Sequence, residues 1–551
     1  MHLPLEFLND HLLETVPLIG LYAETHFRFS IPFSRYYRKE PELLFDTPWR
    51  IEPGQNLTLF LVSKDAHLFP VFLEKVTLEI KQGGTLIFSK NWILNQELQD
   101  HHASLPFRIS ADSLPKGELR LFPVLHYRMG SKTRVMRVDN YRHVPKPPLR
   151  VIHAQDPLPR HPGWFTGETH LHTTFTDDQV EFGASPAQTR ACALQFGLDF
   201  FTATDHSYDL DDEPGNYLRN DPELKKWQAS RAELSNLNRK PGPAVIGGEE
   251  ISVANSTGRT VHLLHYNDSK FFTGNADSGE DWPRMVSEYK IQQVLKDRSE
   301  DTVSVAAHSG YKFGFLQRLL LKRGSWEKAD HLADGLDGVQ VLSSTPLHPG
   351  FHDSKRLWID ALLSAKKLAV FGGSDSHGNF NRNWHISLPP LKLGMNEDQI
   401  FGQVRTLVRS ASPAVADLVV AMKAKRTALT TGPVGHLSID FNGRRSEIGE
   451  SFTGDRDVSF TVQLTAKSTP EFGKEMDIKL FHGDLQKKIE TVIYHEFDRS
   501  TEFQDEFSFR PENSGYIRME ISSEGALWPG VYLSTPIWFE ISALSDSYSR
   551  P

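Results

Sequence analysis

From Gly163 to His377 the chain repeats one pattern: short, β-rich apolar runs that end in loops, most of them at ionisable residues. The runs are WFTGETHLH, LDFFTATDH, AVIGGEEIS, TVHLLHY, TVSVAAHSG, GLDGVQVLSS and KLAVFGGSDSHG. Each is short and rich in β-branched or aromatic residues, the composition of a buried strand. Helical signals lie between several of them. Ser185 is placed to cap a helix that has Pro186 at its first position, Gln188 completing a capping box and Gly197 at its end. A second helix is expected to start at Asp221-Pro222 and run past Leu234, and SKRLWIDALLSAKK has helical spacing at Leu357, Ala361 and Ala365. Alternating strands and helices imply an α/β domain with a mainly parallel sheet or a barrel, in which ligands gather at the C-terminal ends of the strands.

The residues at those ends carry the chemistry. In HLH, alternation along a strand sends His170 and His172 to one side, a natural start for a metal site. Asp177, Asp205, His206, Glu249, Glu250, His262, His265, His308, Asp375 and His377 follow at later ends. Taken singly, each has an ordinary structural reading: a solvated pair for Glu249 and Glu250, a core histidine for His308, a turn for Ser374 to His377. Taken together they converge, because buried charges must be paired or metal-bound. With nitrogen and oxygen donors and no thiolate, zinc, manganese and iron all fit. Lys312, Arg382 and Arg259, in loops near the motifs, are candidates to neutralise an anionic substrate.

The flanks read differently. Residues 1–150 form a β-rich N-terminal domain: LTLFLVS, KVTLEIKQGGTLIFSK and GELRLFPVLHYRM alternate apolar and polar residues, and Gly83-Gly84 marks a hairpin. His101 and His102 sit there in a polar loop, where they read as solvated. Pro-rich connectors lead to a central domain at 160–435. FTVQLTA, DIKLFHG, YIRMEIS and VYLSTPIWFEIS predict a C-terminal β-sandwich over 436–551. A net charge of -9 argues against a nucleic-acid protein with a broad basic face. The single cysteine, Cys192, rules out an internal disulfide and fits a reducing, cytoplasmic setting. The acidic residues Glu6, Asp10 and Glu14 break up the first twenty residues, so neither a signal peptide nor a membrane span is expected. Oligomeric state is not legible.

In order, HxH, TDH, GEEIS with a histidine twelve residues on, AHS and GSDSH resemble the polymerase-and-histidinol-phosphatase (PHP) superfamily. WFTGETHLHTTFTD, GLDFFTATDHS, WIDALLSAKKLAVFGGSDSHG and the TTGP turn resemble, more closely, its carbaryl-hydrolase-like (CehA/McbA) metallohydrolases. The resemblance implies a distorted (β/α)7 barrel with two or three divalent metals. His170, His172, Glu250 and Asp375 would hold the first; Glu250 would bridge to a second completed by His262 and His308; Asp177, His206 and His377 would hold a third. It implies hydrolysis of a small-molecule phosphoester by a metal-bridging hydroxide, or alternatively of a carboxyl ester or carbamate. Asp205 or His377 would protonate the leaving group, with Asp205 better suited to orienting a ligand. A reading of another class is a non-catalytic scaffold that binds carbohydrate or protein.

Overall fold

The computed structural model describes residues 40–541 apart from 142–144, 178–182, 277, 279–284, 314–317, 320–321, 382–384, 389–390, 395–398, 455–458 and 527. Strand accounts for 47% and helix for 15%, so the expected α/β barrel is corrected: the molecule is mostly β, and a (β/α)7 barrel is not shown.

The reason lies in the connections. Trp164–His172 pairs in parallel with Phe200–Ala203, and that strand in parallel with Ala244–Ala254, as alternating strands and helices predict. Ala244–Ala254 then turns directly, through Asn255 to Arg259, into Thr260–Tyr266, forming an antiparallel hairpin. The turn is closed by Asn255, whose side chain accepts from the Thr257 and Arg259 amides, and by Gly258 at φ 78°. A parallel neighbour needs a crossover of a dozen or more residues, and five cannot supply it. Val303–Ala306 is again antiparallel to Thr260–Tyr266, and only then do Gly338–Leu342 and Ala369–Gly372 resume parallel pairing. On its other side Trp164–His172 pairs antiparallel with Arg405–Arg409, which continues through Thr427–Thr430 and Pro529–Ser534 into the C-terminal strands. One mixed sheet of sixteen strands therefore runs out of the central region into the C-terminal one.

Helices cover this sheet. Ser185 accepts from the Gln188 amide, the helix spans Pro186–Phe196, and Gly197 ends it at φ 92°. The next helix spans Lys225–Asn238; Asp221 lies before it and accepts from the Glu223 and Lys225 amides, so the start expected at Asp221 moves to Lys225. Pro349–Leu363 buries Trp358, Ala361 and Leu362; of the expected positions Leu357, Ala361 and Ala365 only Ala361 is buried, and Ala365 lies past the helix end at φ 63°.

Both flanks are pairs of sheets around an apolar core. In the N-terminal one, strands Glu42–Asp46, Leu57–Lys64 and His102–Ile109 face a larger sheet that holds the Val71–Gln82 and Thr85–Leu98 hairpin, with Leu59, Leu61, Val76, Leu78 and Leu121 between them. Gly83 and Gly84 both have positive φ, as the tight turn requires. In the C-terminal one, Val434–Phe441 and Phe460–Lys467 pack their inward residues, among them Leu437, Val462 and Leu464, on Ile478, Leu480 and Met519 of the long sheet. Arg50 ties the three regions together. Its fully buried guanidinium bonds Glu52, the Phe196 and Asp156 carbonyls and, 3.0 Å away, Glu471. A buried cation needs such complete pairing.

Candidate metal centre

Glu250 lies at the middle of the site. It belongs to the strand Ala244–Ala254, and alternation points it away from its neighbour Glu249. Its Oε2 lies 3.2 Å from His170 Nε2, 3.3 Å from His172 Nε2 and 3.3 Å from His206 Nδ1. Its Oε1 lies 3.0 Å from His262 Nδ1 and 3.2 Å from His308 Nε2. Asp375 Oδ1 stands 3.2 Å from both His170 Nε2 and His172 Nε2.

Three groups of donors follow: His170, His172, Glu250 and Asp375; Glu250, His262 and His308; His172, His206 and His377. Within each, the donor atoms all lie within 4.8 Å of one another. The spacing fits shared cations. Ligands about 2.1 Å from one ion stand roughly 3.0 Å apart in an octahedron and 3.4 Å apart in a tetrahedron. His170 Nε2 and both ring nitrogens of His206 are buried and make no hydrogen bond of good geometry. Buried imidazole nitrogens are normally satisfied, so these donors fit a metal.

The surrounding side chains set the rings. His170 Nδ1 donates to Gln340 Oε1 at 3.0 Å. The Gln340 amide is fixed in that sense, because its Oε1 also accepts from the His308 amide and its Nε2 donates to the Gly373 carbonyl. Gln340 thus takes the Nδ1 proton of His170 and turns Nε2 toward Glu250 and Asp375; against the opposing effect of burial those two carboxylates raise the ring to about 9, so a bound cation would take the place of the Nε2 proton. His172 Nδ1 faces Thr176 Oγ1 at 3.3 Å, and that hydroxyl donates to Asp205. Asp205 also accepts from the Thr173 amide and hydroxyl and from the Thr176 amide. Gln399 donates to Asp375 Oδ2 at 3.0 Å. Glu168, fully buried, accepts from the amides of His170, Ser374 and Gly402 and from the Ser374 hydroxyl, joining the two histidine-bearing segments. Gly373 permits that approach, since a Cβ there would sit 2.7 Å from both His170 Cβ and the His170 backbone nitrogen. His308 (φ 27°) and Asp375 (φ 55°) are both held in left-handed backbone, an uncommon conformation for non-glycine residues that aspartate and histidine tolerate better than most.

The charges are strongly coupled. Burial opposes ionisation of Glu250, yet His170 and His262 hold it well below the carboxylate range. Burial likewise opposes Asp375, and His170 and His172 hold it low. Burial and the neighbouring His172 keep His206 neutral, with its lone pair available. Burial pushes Glu168 up to about 7 and Glu249 up to about 8.

Set against the sequence reading, the first two ligand sets are brought together residue for residue. The third differs. His206 and His377 are joined by His172, while Asp177 is turned toward the N-terminal sandwich, where Lys64 Nζ lies 2.8 Å from its Oδ1, His101 Nε2 3.2 Å from its Oδ2 and His102 Nε2 3.6 Å from its Oδ1. His101 and His102 are accordingly part of a packed seam, not of a solvated loop. The loop Thr173–Thr176 occupies Asp205, which orients and sits in none of the donor groups. His265 bonds Asp268 at 2.7 Å and Ser304 at 3.0 Å, a structural pairing on the opposite side of its strand from His262. Lys312 is exposed and pairs with Asp353, and Arg259 donates to the Arg318 carbonyl; neither reaches the donor groups. Arg382 lies outside the described residues. The cation beside the site is Arg323, which with Tyr311, Phe313 and Trp326 lines the cleft next to His262 and His308. Gln340, Gln399, Glu168 and Arg323 escaped the sequence reading. For Gln340 the signal was present: a lone amide inside the apolar run GVQVL.

No family model matches the chain, and no curated protein matches it. Among solved structures it is similar to a Bacteroides uniformis β-glucuronidase at a TM-score of 0.17 and 11% identity, covering 91% of this chain and 61% of that one. A glycosyl hydrolase family 2 member from Bacteroides cellulosilyticus gives 0.16 at 9% identity, covering 90% and 78%. The Parabacteroides merdae β-glucuronidase gives 0.17 at 10%, covering 92% and 65%. The chain thus spans less than two thirds of the first of these. Superpositions at this level carry no argument about fold or activity. Among the described residues no helix is long and apolar enough to cross a membrane.

Proposed function

We propose that this protein is a metal-dependent hydrolase acting on a small-molecule phosphoester. One observation carries the reading: Glu250 directs one oxygen to His170, His172 and His206 and the other to His262 and His308. A carboxylate shared in this way suits a pair of divalent cations, zinc, manganese or iron by donor type; His206 and His377 stand beside them, while His172, with Nδ1 tied to Thr176, serves one ion through Nε2. Bound there, such ions lower the pKa of water toward about 7 and polarise an ester oxygen. The chain's own residues do the rest. Gln340 and the Thr176–Asp205 relay hold His170 and His172 with a fixed ring nitrogen toward the ions. The ordered motifs' resemblance to the PHP metallohydrolases supports the same chemistry, in ligand content and not in architecture.

The test is turnover of nitrophenyl phosphate, a phosphodiester, an acetate and an aryl carbamate by zinc-, manganese- and iron-loaded protein. Phosphoester turnover that a chelator abolishes, that returns with metal and that is absent from Glu250→Gln is the expected result. Turnover of only the carbamate or acetate would replace the substrate class, and full activity in Glu250→Gln would refute the site.

A further inference from the structure

A groove of about 620 Å3 lies among three helices at the start of the strand Ala244–Ala254. Helix Pro186–Phe196 contributes Arg190, helix Lys225–Asn238 contributes Arg231 and Ser235, and the segment entering helix Val415–Lys423 contributes Ser412 and Ala414. Asn267, just past the strand Thr260–Tyr266, completes the wall. Among the described residues that line the groove, two are arginines and none carries a carboxylate. None of them belongs to the Glu250 donor groups.

Arg231 is the informative side chain. It lies against Gly247, where a Cβ would come within 2.0 Å of Nη1, and it stacks over Trp227 with Cζ 5.4 Å from the ring centroid. Among the described residues it makes no ion pair, and its Nη2 is buried without a hydrogen-bond partner. The carboxylates that act on it from a distance are engaged elsewhere. Glu249 accepts from the Ser207 hydroxyl, Asp268 pairs with His265 and Ser299, and Asp205 accepts from Thr173 and Thr176. A buried cation is normally paired and its donors satisfied, as Arg50 is by two carboxylates and two carbonyls. Arg190 is held by carbonyls alone, with Nε donating to Pro243 at 2.8 Å and Nη2 to Lys240 at 2.6 Å. Burial lowers both guanidiniums from their ordinary value.

The helix Val415–Lys423 adds to the same field. Its N-cap residue, Ala414, makes no side-chain capping bond and lines the groove. Free first-turn amides and the positive end of the helix dipole favour an anion at such an end. Asp417, in the first turn, is engaged by the Ser412 hydroxyl and does not line the groove.

We propose that this groove binds an oxyanion of the phosphate class, with Arg231 and Arg190 as its charged donors and the helix end at Ala414 as its third positive element. A tetrahedral oxyanion accepts from several donors at once, and guanidiniums match its geometry. Inorganic phosphate and the phosphoryl group of a small phosphomonoester share that chemistry. Ser235 is exposed and both arginines are half-buried, so the groove opens to water. The site is independent of the hydrolytic reading.

The experiment is isothermal titration of the full chain with inorganic phosphate and, separately, with propylphosphonate, a phosphomonoester stand-in that cannot be hydrolysed, at matched ionic strength. Wild type, Arg231→Gln, Ser235→Glu and Glu250→Gln are compared, each checked for a cooperative melt. The expected result is saturable binding of at least one anion that persists in Glu250→Gln and weakens by roughly tenfold or more in Arg231→Gln. The tighter of the two anions identifies the source. Ser235→Glu places a negative charge on the exposed rim and is expected to weaken binding, most of all at low salt. Absence of saturable binding in wild type, or equal affinity in wild type and Arg231→Gln, overturns the proposal. Binding lost in Glu250→Gln and kept in Arg231→Gln assigns the anion to the metal centre and overturns it as well. Should Arg231→Gln fail to melt cooperatively, Ser235→Glu decides: weakened binding supports the groove, and unchanged binding at low salt overturns it.

Discussion

The Glu250 centre and the Asp177 seam are built from the same residue types and differ in how they are held. In the centre most ligands sit at strand ends of one continuous sheet and are buried, His308 least so at 13% of its side chain, and the rings of His170 and His172 are oriented by Gln340 and by Thr176 with Asp205. In the seam the side chains come from loops of two regions, are partly open to water, and pair with a lysine. Burial and a rigid second layer of hydrogen bonds make a site that chemistry can use. Ion pairs between loops of two regions, as at Asp177, join those regions instead.

That contrast can be broken or sharpened by substitution. The largest effect is expected from Glu250→Gln, which removes the shared carboxylate. Hydrolysis and metal content should both fall, and activity by more than the roughly 100-fold that bounds the loss of a supporting residue. Steady-state kinetics with metal analysis on the same preparation checks it.

Gln340→Leu should come next. Without an acceptor at His170 Nδ1, metal affinity at the centre should fall about 10- to 100-fold, while Gln340→Glu, which keeps an acceptor, retains most of it. Competition with a chromogenic chelator measures both, and equal loss in the two variants would show that Gln340 acts by packing alone.

Lys64→Met tests the seam. Its side chain is 3% exposed and neutralises Asp177, so removing one partner of a largely buried pair should cost on the order of 2 kcal/mol of stability. Because the seam is not the proposed reaction centre, kcat should change by less than about twofold. Denaturant melts and steady-state kinetics on the same variant check both, and an unchanged midpoint would show that Lys64 is dispensable to the seam.

The smallest effect lies far from either site. Burial holds His161 and His436, whose rings lie 5.8 Å apart, down at about 4. Their unfolded value is near 6.5, so the unfolded chain takes up more protons between those values and stability falls as the pH drops from about 6.5 to 4. Both rings are partly solvated, which limits the loss to roughly 1–2 kcal/mol. Denaturant melts across that range should lose the dependence in His161→Gln/His436→Gln, and should keep it if the acid sensitivity arises in the metal centre.

Much of the centre was legible because strand ends are local. HLH, EE, HLLH and SDSH show candidate ligands by alternation and by ionisable residues closing apolar runs, whereas their division into sets was what the resemblance to the PHP metallohydrolases implied. Long-range pairing is not local. His101 and His102 look like solvated loop residues until a second region packs on them, and Asp177 looks like a ligand of its own motif until Lys64 and His101 claim it. Lys312 and Arg259 were placed near the motifs along the chain, yet Asp353 and the Arg318 carbonyl hold them.

By itself the chain determined where its strands begin and end, which face each presents, and that a dense set of imidazoles and carboxylates would need a common partner, because periodicity and the cost of burying charge act within a few residues. Only the tertiary structure decided how those strands pair. The five-residue turn at Asn255–Arg259 makes a hairpin where alternation implied a barrel unit, and the sheet therefore runs on through Arg405–Arg409 and Thr427–Thr430 into the C-terminal strands. Pairing partners far apart in sequence are chosen by the packing of whole faces against one another, and no short window of residues contains that information.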